Sequence, residues 1–399
     1  MRKVYLLGAG RTPIGKMGGV LSGISAVELG AISIKESIRR SGVPGELIEH
    51  VYMGCVIQAG LGQNVARQAA LKAGLPYTST AETLNVVCGS GLNSVNTAAR
   101  LIQTGDADVV IAGGMESMSK APFAIMKGRY GYHMGSPMRK SDIVDTMVND
   151  SLWDALNDYH MGVTAENLAK QWNITRKSMD EFALNSQKKA CDAIENNLFK
   201  DEIFPIKLEN QKTEIIVSED EGPRKGIGMK DLSKLKGVFI ENGLVTAGNS
   251  SGINDGAATV ILMSEDKVRE LGVKPMAEWV GGCLSGVDPA IMGTGPIKST
   301  NKLLKMLNMD INDIDLIEVN EAFAVQALVV ANELQIPMEK LNVNGGAIAL
   351  GHPVGASGCR ILVTLLHAMK KRNAKLGMAA LCIGGGMGCS ALVRRCENN

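Results

Sequence analysis

The sequence predicts an α/β fold made of two similar halves around a long insertion. Three observations carry this: apolar runs of strand length alternate with segments of helical period, the two ends of the chain echo each other, and the middle is more polar than either end.

Taken in order, KVYLLG, EHVYMGCV and ADVVIAGG read as strands, and Ser25 to Ser41 and Gly91 to Gln103 as helices. In the last third, MAEWVGG, IDLIEVN, LNVNGGA and GMAALCIGGG read as strands, and Ser299 to Leu307, Ala322 to Leu334 and Gly358 to Lys371 as helices. The echo is direct. IAGGM at 111–115 matches IGGGM at 383–387, Ser90-Gly91 matches Ser357-Gly358, and Gly54 matches Asn320. GAATVILMS at 256–264 reads as the returning strand of the first half, so residues 120–247, with charged helices such as Thr175 to Asn196, form an insertion expected to lie over the functional face.

Composition narrows the function. Hydrophobic residues are 45% and charged residues 21%, and 42 Lys plus Arg stand against 41 Asp plus Glu. No global field draws the chain to nucleic acid or an anionic membrane, so a bound anion has to be held locally. No apolar stretch is long enough to span a bilayer, and the first strand begins almost at Met1, which makes cytoplasmic residence the expectation. The eight cysteines form no CxxC pair and no zinc spacing, so reduced thiols and no metal are expected.

Four loops hold candidate chemistry. Cys88 lies where the run LNVV breaks at CGSG and a helix follows, a place where a helix dipole acidifies a thiol; a buried structural cysteine is the plain alternative. His352 lies in the glycine-rich turn of NVNGGAIALGHPVGASG, where little side-chain packing justifies it and an imidazole suits proton transfer; a structural loop histidine is the plain alternative. Cys382 heads CIGGGMG, where the repeat suggests Ala112 as its twin. Asn320 ends a strand and suits either a held water or a helix cap. GAGRTP at 8–13 imitates a dinucleotide fingerprint, but Pro13 replaces its third glycine and no helix follows at once, so a plain strand-end loop is expected.

Together, CGSG at Cys88, NEAF at 320–323, GHP at 351–353 and CIGGGMG at 382–388 resemble the catalytic blocks of the thiolase family. RTPIG at 11–15, GLGQNVARQAALKAGLP at 60–76, HMGVTAEN at 160–167 and TAGNSSGINDGAA at 246–258 extend the resemblance over nearly the whole chain. It implies duplicated βαβαβ halves in a layered α/β/α/β/α core, with one half at 1–119 plus 248–270, an inserted loop domain at 120–247 and the other half at 271–399. It further implies acyl transfer between CoA thioesters: Cys88 carries the acyl group, His352 takes its proton and Cys382 is the base at the second substrate. His352 and an Asn320-held water would then face the enolate, while the N–H groups of Cys88 and Gly384 face the acyl carbonyl. Leu152, Arg224, Ala247, Ser251, Ala322 and Phe323 fall at substrate or CoA positions. His160, Met161 and Met292 resemble the short-chain type, which acts on acetyl-CoA and acetoacetyl-CoA; a longer-chain 3-ketoacyl-CoA thiolase is the alternative. No cofactor beyond the CoA thioester itself is implied, nor any metal. A homotetramer is expected over a dimer, assembled through the segment from Lys120 to Met138. KLKGVF at 234–239 departs from the family's KLRPAF, and Asp231 stands where serine is common.

Overall fold

The computed structural model describes residues 2–134, 142–210 and 213–397; positions 135–138 of the expected assembly segment lie outside them. The first half runs β1 (Val4–Arg11), α1 (Ala26–Ser41), β2 (His50–Gly54), α2 (Val65–Lys72), β3 (Thr80–Leu84), α3 (Ser90–Thr104) and β4 (Val109–Ser117). The chain then leaves the sheet for an insertion that includes α4 (Met161–Gln171) and α5 (Arg176–Glu195), and returns as β5 (Asn254–Ser264). The second half follows as β6 (Ala277–Gly286), α6 (Gly295–Leu307), β7 (Leu316–Val319), α7 (Ala324–Glu333), α8 (Val354–Arg372), β8 (Leu376–Ile383) and β9 (Met387–Arg395).

The ladders repeat as well. β2 pairs in parallel with β3 and β4, and β5 pairs antiparallel with β4 and β1. β7 is likewise parallel to β8, and β9 antiparallel to β8 and β6. A short antiparallel ladder from Val4–Leu6 to Trp279–Ala277 joins the two sheets at one end. Strand alternation sends Val110 and Ala112 of β4 into a core shared with α3 and α8, while Val109 and Ile111 join α1 and α2 on the other face. Every residue of α8 from Val354 to Met369 is buried, because this helix and α3 fill the layer between the sheets. Glycine lets them meet. A Cβ on Gly91 would lie 2.8 Å from the Cys359 nitrogen, and one on Gly358 would lie 2.4 Å from the Leu92 nitrogen, a reciprocal contact across the repeat.

Backbone–carboxylate contacts fix the equivalence of the halves. Glu49 accepts from the Asp108 and Val109 N–H groups, and Asp315 accepts from Lys375 and Leu376. Val109 therefore corresponds to Leu376, and counting along the two strands makes Met115 the twin of Cys382. The expected twin, Ala112, is thereby corrected, because the two glycine clusters do not superpose. Gly113 and Gly114 lie inside β4, whereas Gly384–Gly386 turn the chain from β8 to β9, with φ of 83° and 85° at Gly385 and Gly386.

Local expectations shift elsewhere. LNVNGGA forms no strand and contributes isolated bridges, Leu341 to Ile317 and Val343 to Gly345, because Asn342 and Gly345 have positive φ and turn the chain. The strand before Cys88 ends at Leu84. Helices α6 and α8 start earlier than Ser299 and Gly358, with Pro296 in the first turn of α6 and Pro353 as the cap of α8.

Candidate active site

Cys88 sits between Val87, whose φ is 47°, and Gly89, the cap of α3. The elbow is stitched by Ser90, whose Oγ donates to the Val87 carbonyl at 2.6 Å and accepts from the Val86 N–H at 3.0 Å. Gly89 leaves room for Ile383, which a Cβ would meet at 2.3 Å. The Cys88 sulfur stays partly open to the adjoining cavity, although protein surrounds it. Burial pushes the thiol up to about 11; the N–H groups of Gly384 and of Cys88 itself pull it down, and Glu116 adds an upward push. The acidified thiol expected from the helix terminus is therefore corrected: desolvation outweighs the two N–H groups that favour the thiolate, and the resting group is a thiol that needs a base.

That base is at hand. A one-turn helix, Ala347–Leu350, and Gly351 at φ 115° deliver His352, whose N–H donates to Asn254 Oδ1 at 2.9 Å. Its Nδ1 meets Ser357 Oγ at 2.5 Å, and that hydroxyl donates to the Pro353 carbonyl at 2.9 Å. With its proton so committed, Ser357 receives Nδ1–H and leaves Nε2 as the acceptor. Burial first, and the Arg360 charge second, hold the imidazole down at about 3, so it is neutral near pH 7.

Cys88, His352 and Gly384 line one cavity of about 260 Å³. Its walls include Leu152, His160, Met161, Met292, Ala322 and Phe323, and toward the insertion Ala247 and Ser251. His160 caps α4 by accepting the Gly162 N–H on Nδ1 at 3.0 Å, which places its proton on Nε2, and its ring stacks on Phe239 at 4.7 Å. Burial lowers its pKa. A second hollow of about 110 Å³ shares Ala247, Ser250, Gly252 and Ile253 with the first and carries Arg224 and Lys16. Arg224 is exposed beside this second hollow, and its backbone N–H donates to Gln187 Oε1 at 2.8 Å.

Two expected residues lie behind this wall. Cys382 has no exposure; burial, then the neighbouring Cys88 sulfur, raise its thiol well above the ordinary range. Asn320 is also buried, its Oδ1 accepting from Arg360 Nη2 at 3.4 Å while its Nδ2 has no protein partner. The dinucleotide imitation fails on side-chain grounds too, because Arg11 is fully buried between Glu202 and Asp220 at 2.7 Å each. Sequence reasoning missed Phe239, Ser250, Ile253, Ser357, Arg360 and Glu116. Glu116 left one signal, a lone carboxylate among the buried residues of β4.

Comparison with known proteins agrees with this architecture. The family model described as thiolase, N-terminal domain, matches residues 4–266, and that described as thiolase, C-terminal domain, matches 273–395. The acetyl-CoA acetyltransferase of Syntrophomonas wolfei is 52% identical over 98% of this chain and 99% of its own. A probable acetyl-CoA acetyltransferase of Escherichia coli is 50% identical over 100% of both. Among solved structures, the Bacillus anthracis acetyl-CoA acetyltransferase superposes with a TM-score of 0.96 at 43% identity, and human mitochondrial 3-ketoacyl-CoA thiolase with 0.95 at 39%, each covering 99% of both chains. With two family models spanning nearly every residue and a repeat whose loops converge on one cavity, the chain belongs to the thiolase family.

Proposed function

We propose that this chain is an acetyl-CoA C-acetyltransferase, joining two acetyl-CoA reversibly into acetoacetyl-CoA and CoA through an acetyl group carried on Cys88. The observation that carries the reading is the Cys88 thiol, held beside the Gly384 N–H and sharing a cavity with a neutral His352. His352 Nε2 takes the thiol proton, sulfur attacks the thioester carbon, and the departing CoA sulfur receives that proton. The two N–H groups that now face the sulfur, from Cys88 and Gly384, are suited to the carbonyl oxygen of the acyl-enzyme.

Cys382 reacts in the second half as its thiolate, a strong base for the same reason that it is hard to form: it takes the α-proton of a second acetyl-CoA and passes that proton to Cys88 when the acyl group leaves. The enolate oxygen is received by His352 and by a water on Asn320 Nδ2, and the enolate carbon attacks the acetyl carbonyl, expelling Cys88. Leu152, Ala247, Ser251 and Phe323 line the approach of the pantetheine arm, and Arg224 meets the CoA phosphates. His160, Met161 and Met292 close the acyl end of a small cavity, which favours the acetyl group over longer chains. The chain works as a homotetramer in the cytoplasm, with no metal or resident cofactor.

Acetyl-CoA alone is the test. Intact-mass and peptide analysis should place one acetyl group on Cys88, and an unlabelled protein would overturn the reading. Rates with 3-ketoacyl-CoAs of increasing length should fall beyond acetoacetyl-CoA; a rate that rises with length would assign the longer-chain activity instead.

A further inference from the structure

Glu116 is fully buried near the end of β4, and its carboxylate gathers donors from both halves of the repeat. Val56 and Ile57, after β2, donate their N–H groups at 3.0 and 3.1 Å. Gly355, in the first turn of α8 and three residues beyond His352, donates at 2.9 Å. The Cys55 thiol adds a contact at 3.7 Å. This crossing point is tightly built. A Cβ on Gly355 would lie 2.7 Å from Glu116 Oε2, while Cβ atoms on Gly54 and Gly114 would lie 2.7 and 2.0 Å from the Gly355 carbonyl oxygen. The N-terminal turn of α8 is thus wedged onto the ends of β2 and β4, with the carboxylate satisfying one of its otherwise unpaired N–H groups.

We propose that Glu116 is a positioning residue whose carboxylate clamps the first turn of α8, and with it the His352 loop that leads into that turn, onto the strand ends of the other half. The proposal rests on the reading that Cys88 is the acylated group. Burial raises the Glu116 carboxyl to about 7 against the pull of its three N–H donors, so the ionised form is substantially populated near neutrality. Burial is the main obstacle to thiolate formation at Cys88, the Gly384 and Cys88 N–H groups favour it, and the Glu116 charge adds a smaller push against it. In this arrangement the thiolate forms mainly as His352 takes the proton, and the clamp determines where His352 stands when it does so.

Two substitutions separate geometry from charge. Glu116→Gln keeps the shape, removes the charge and turns an amide toward backbone donors; Glu116→Asp keeps the charge and withdraws the carboxylate. Both should slow acetylation of Cys88 at saturating acetyl-CoA by about tenfold to a hundredfold, the loss expected from a small misplacement of a catalytic group, with little change in the half-saturating concentration. Only Glu116→Gln should speed alkylation of Cys88 by iodoacetamide near neutral pH, an opposite change that a loosened fold does not produce. Wild-type acetylation rates in both variants would overturn the clamp, and alkylation no faster in Glu116→Gln than in Glu116→Asp would overturn the charge effect. A wild-type chain that takes no acetyl group on Cys88 would instead sink the transferase reading, leaving the alkylation comparison to decide the charge effect alone.

Discussion

Burial raises the thiols of both Cys88 and Cys382, and of the two only Cys88 lines the cavity, where an acyl group can be attached. Cys382→Ala should still take an acetyl group from acetyl-CoA yet lose condensation by at least about a hundredfold, the usual worth of a general base; equal losses in both half-reactions would place Cys382 in acylation as well. His352 makes a second claim open to test. Its folded pKa of about 3 lies below the ordinary 6.5, so the unfolded chain binds the proton first and stability falls as pH drops below about 6.5 toward 3. Denaturant titrations of His352→Asn between pH 4 and 7 should show a shallower fall than wild type, and parallel curves would show that His352 titrates as in water. Cys88 and His352 were legible because a reactive side chain among glycines has few structural reasons to be there. Glu116 and Arg360 were not, because they act through partners far away in sequence, and Ser357 was not, because its bond to His352 depends on the turn at Pro353.

The central pair of helices shows what pattern reading captures and what it omits. The echo of Ser90-Gly91 in Ser357-Gly358 marked both helices as one repeated unit, but only the fold shows that the two glycines face each other's helix backbones. Gly358→Ala should therefore destabilise the protein by about 1–3 kcal/mol, as overpacking does, even though alanine is the better helix former. Urea unfolding checks the sign, and a stabilised Gly358→Ala protein would mean that α3 and α8 can separate without cost. The run LNVNGGA misled for the converse reason. Its apolar positions suit a strand, but the left-handed turns at Asn342 and Gly345 divert the chain into the loop that delivers His352.

Across the molecule, duplication explains why the site draws on sequence blocks so far apart: α3 and α8 meet between the sheets, so the loops before them open on one cavity. The same central layer buries charge. Glu318 on β7 and Arg360 on α8 are both buried; among the described residues neither Glu318 oxygen has a hydrogen-bond partner, and Arg360 Nε and Nη1 have none. Burial, partly offset by Arg360, raises the Glu318 carboxyl to about 8. The folded state thus keeps a proton that the unfolded chain releases near 4.5, and this contribution is present in full below 4.5 and lost as pH rises through 8. Glu116, raised to about 7, tilts stability the same way, whereas His352 tilts it oppositely in acid, so the three groups together favour maximal stability below neutrality. Glu318→Gln removes the largest of these alkaline losses while keeping the shape. Its unfolding free energy should fall less than that of wild type between pH 5.5 and pH 8.5, and an unchanged difference would show that Glu318 is ionised in the folded protein throughout, paired with Arg360 as a buried salt bridge.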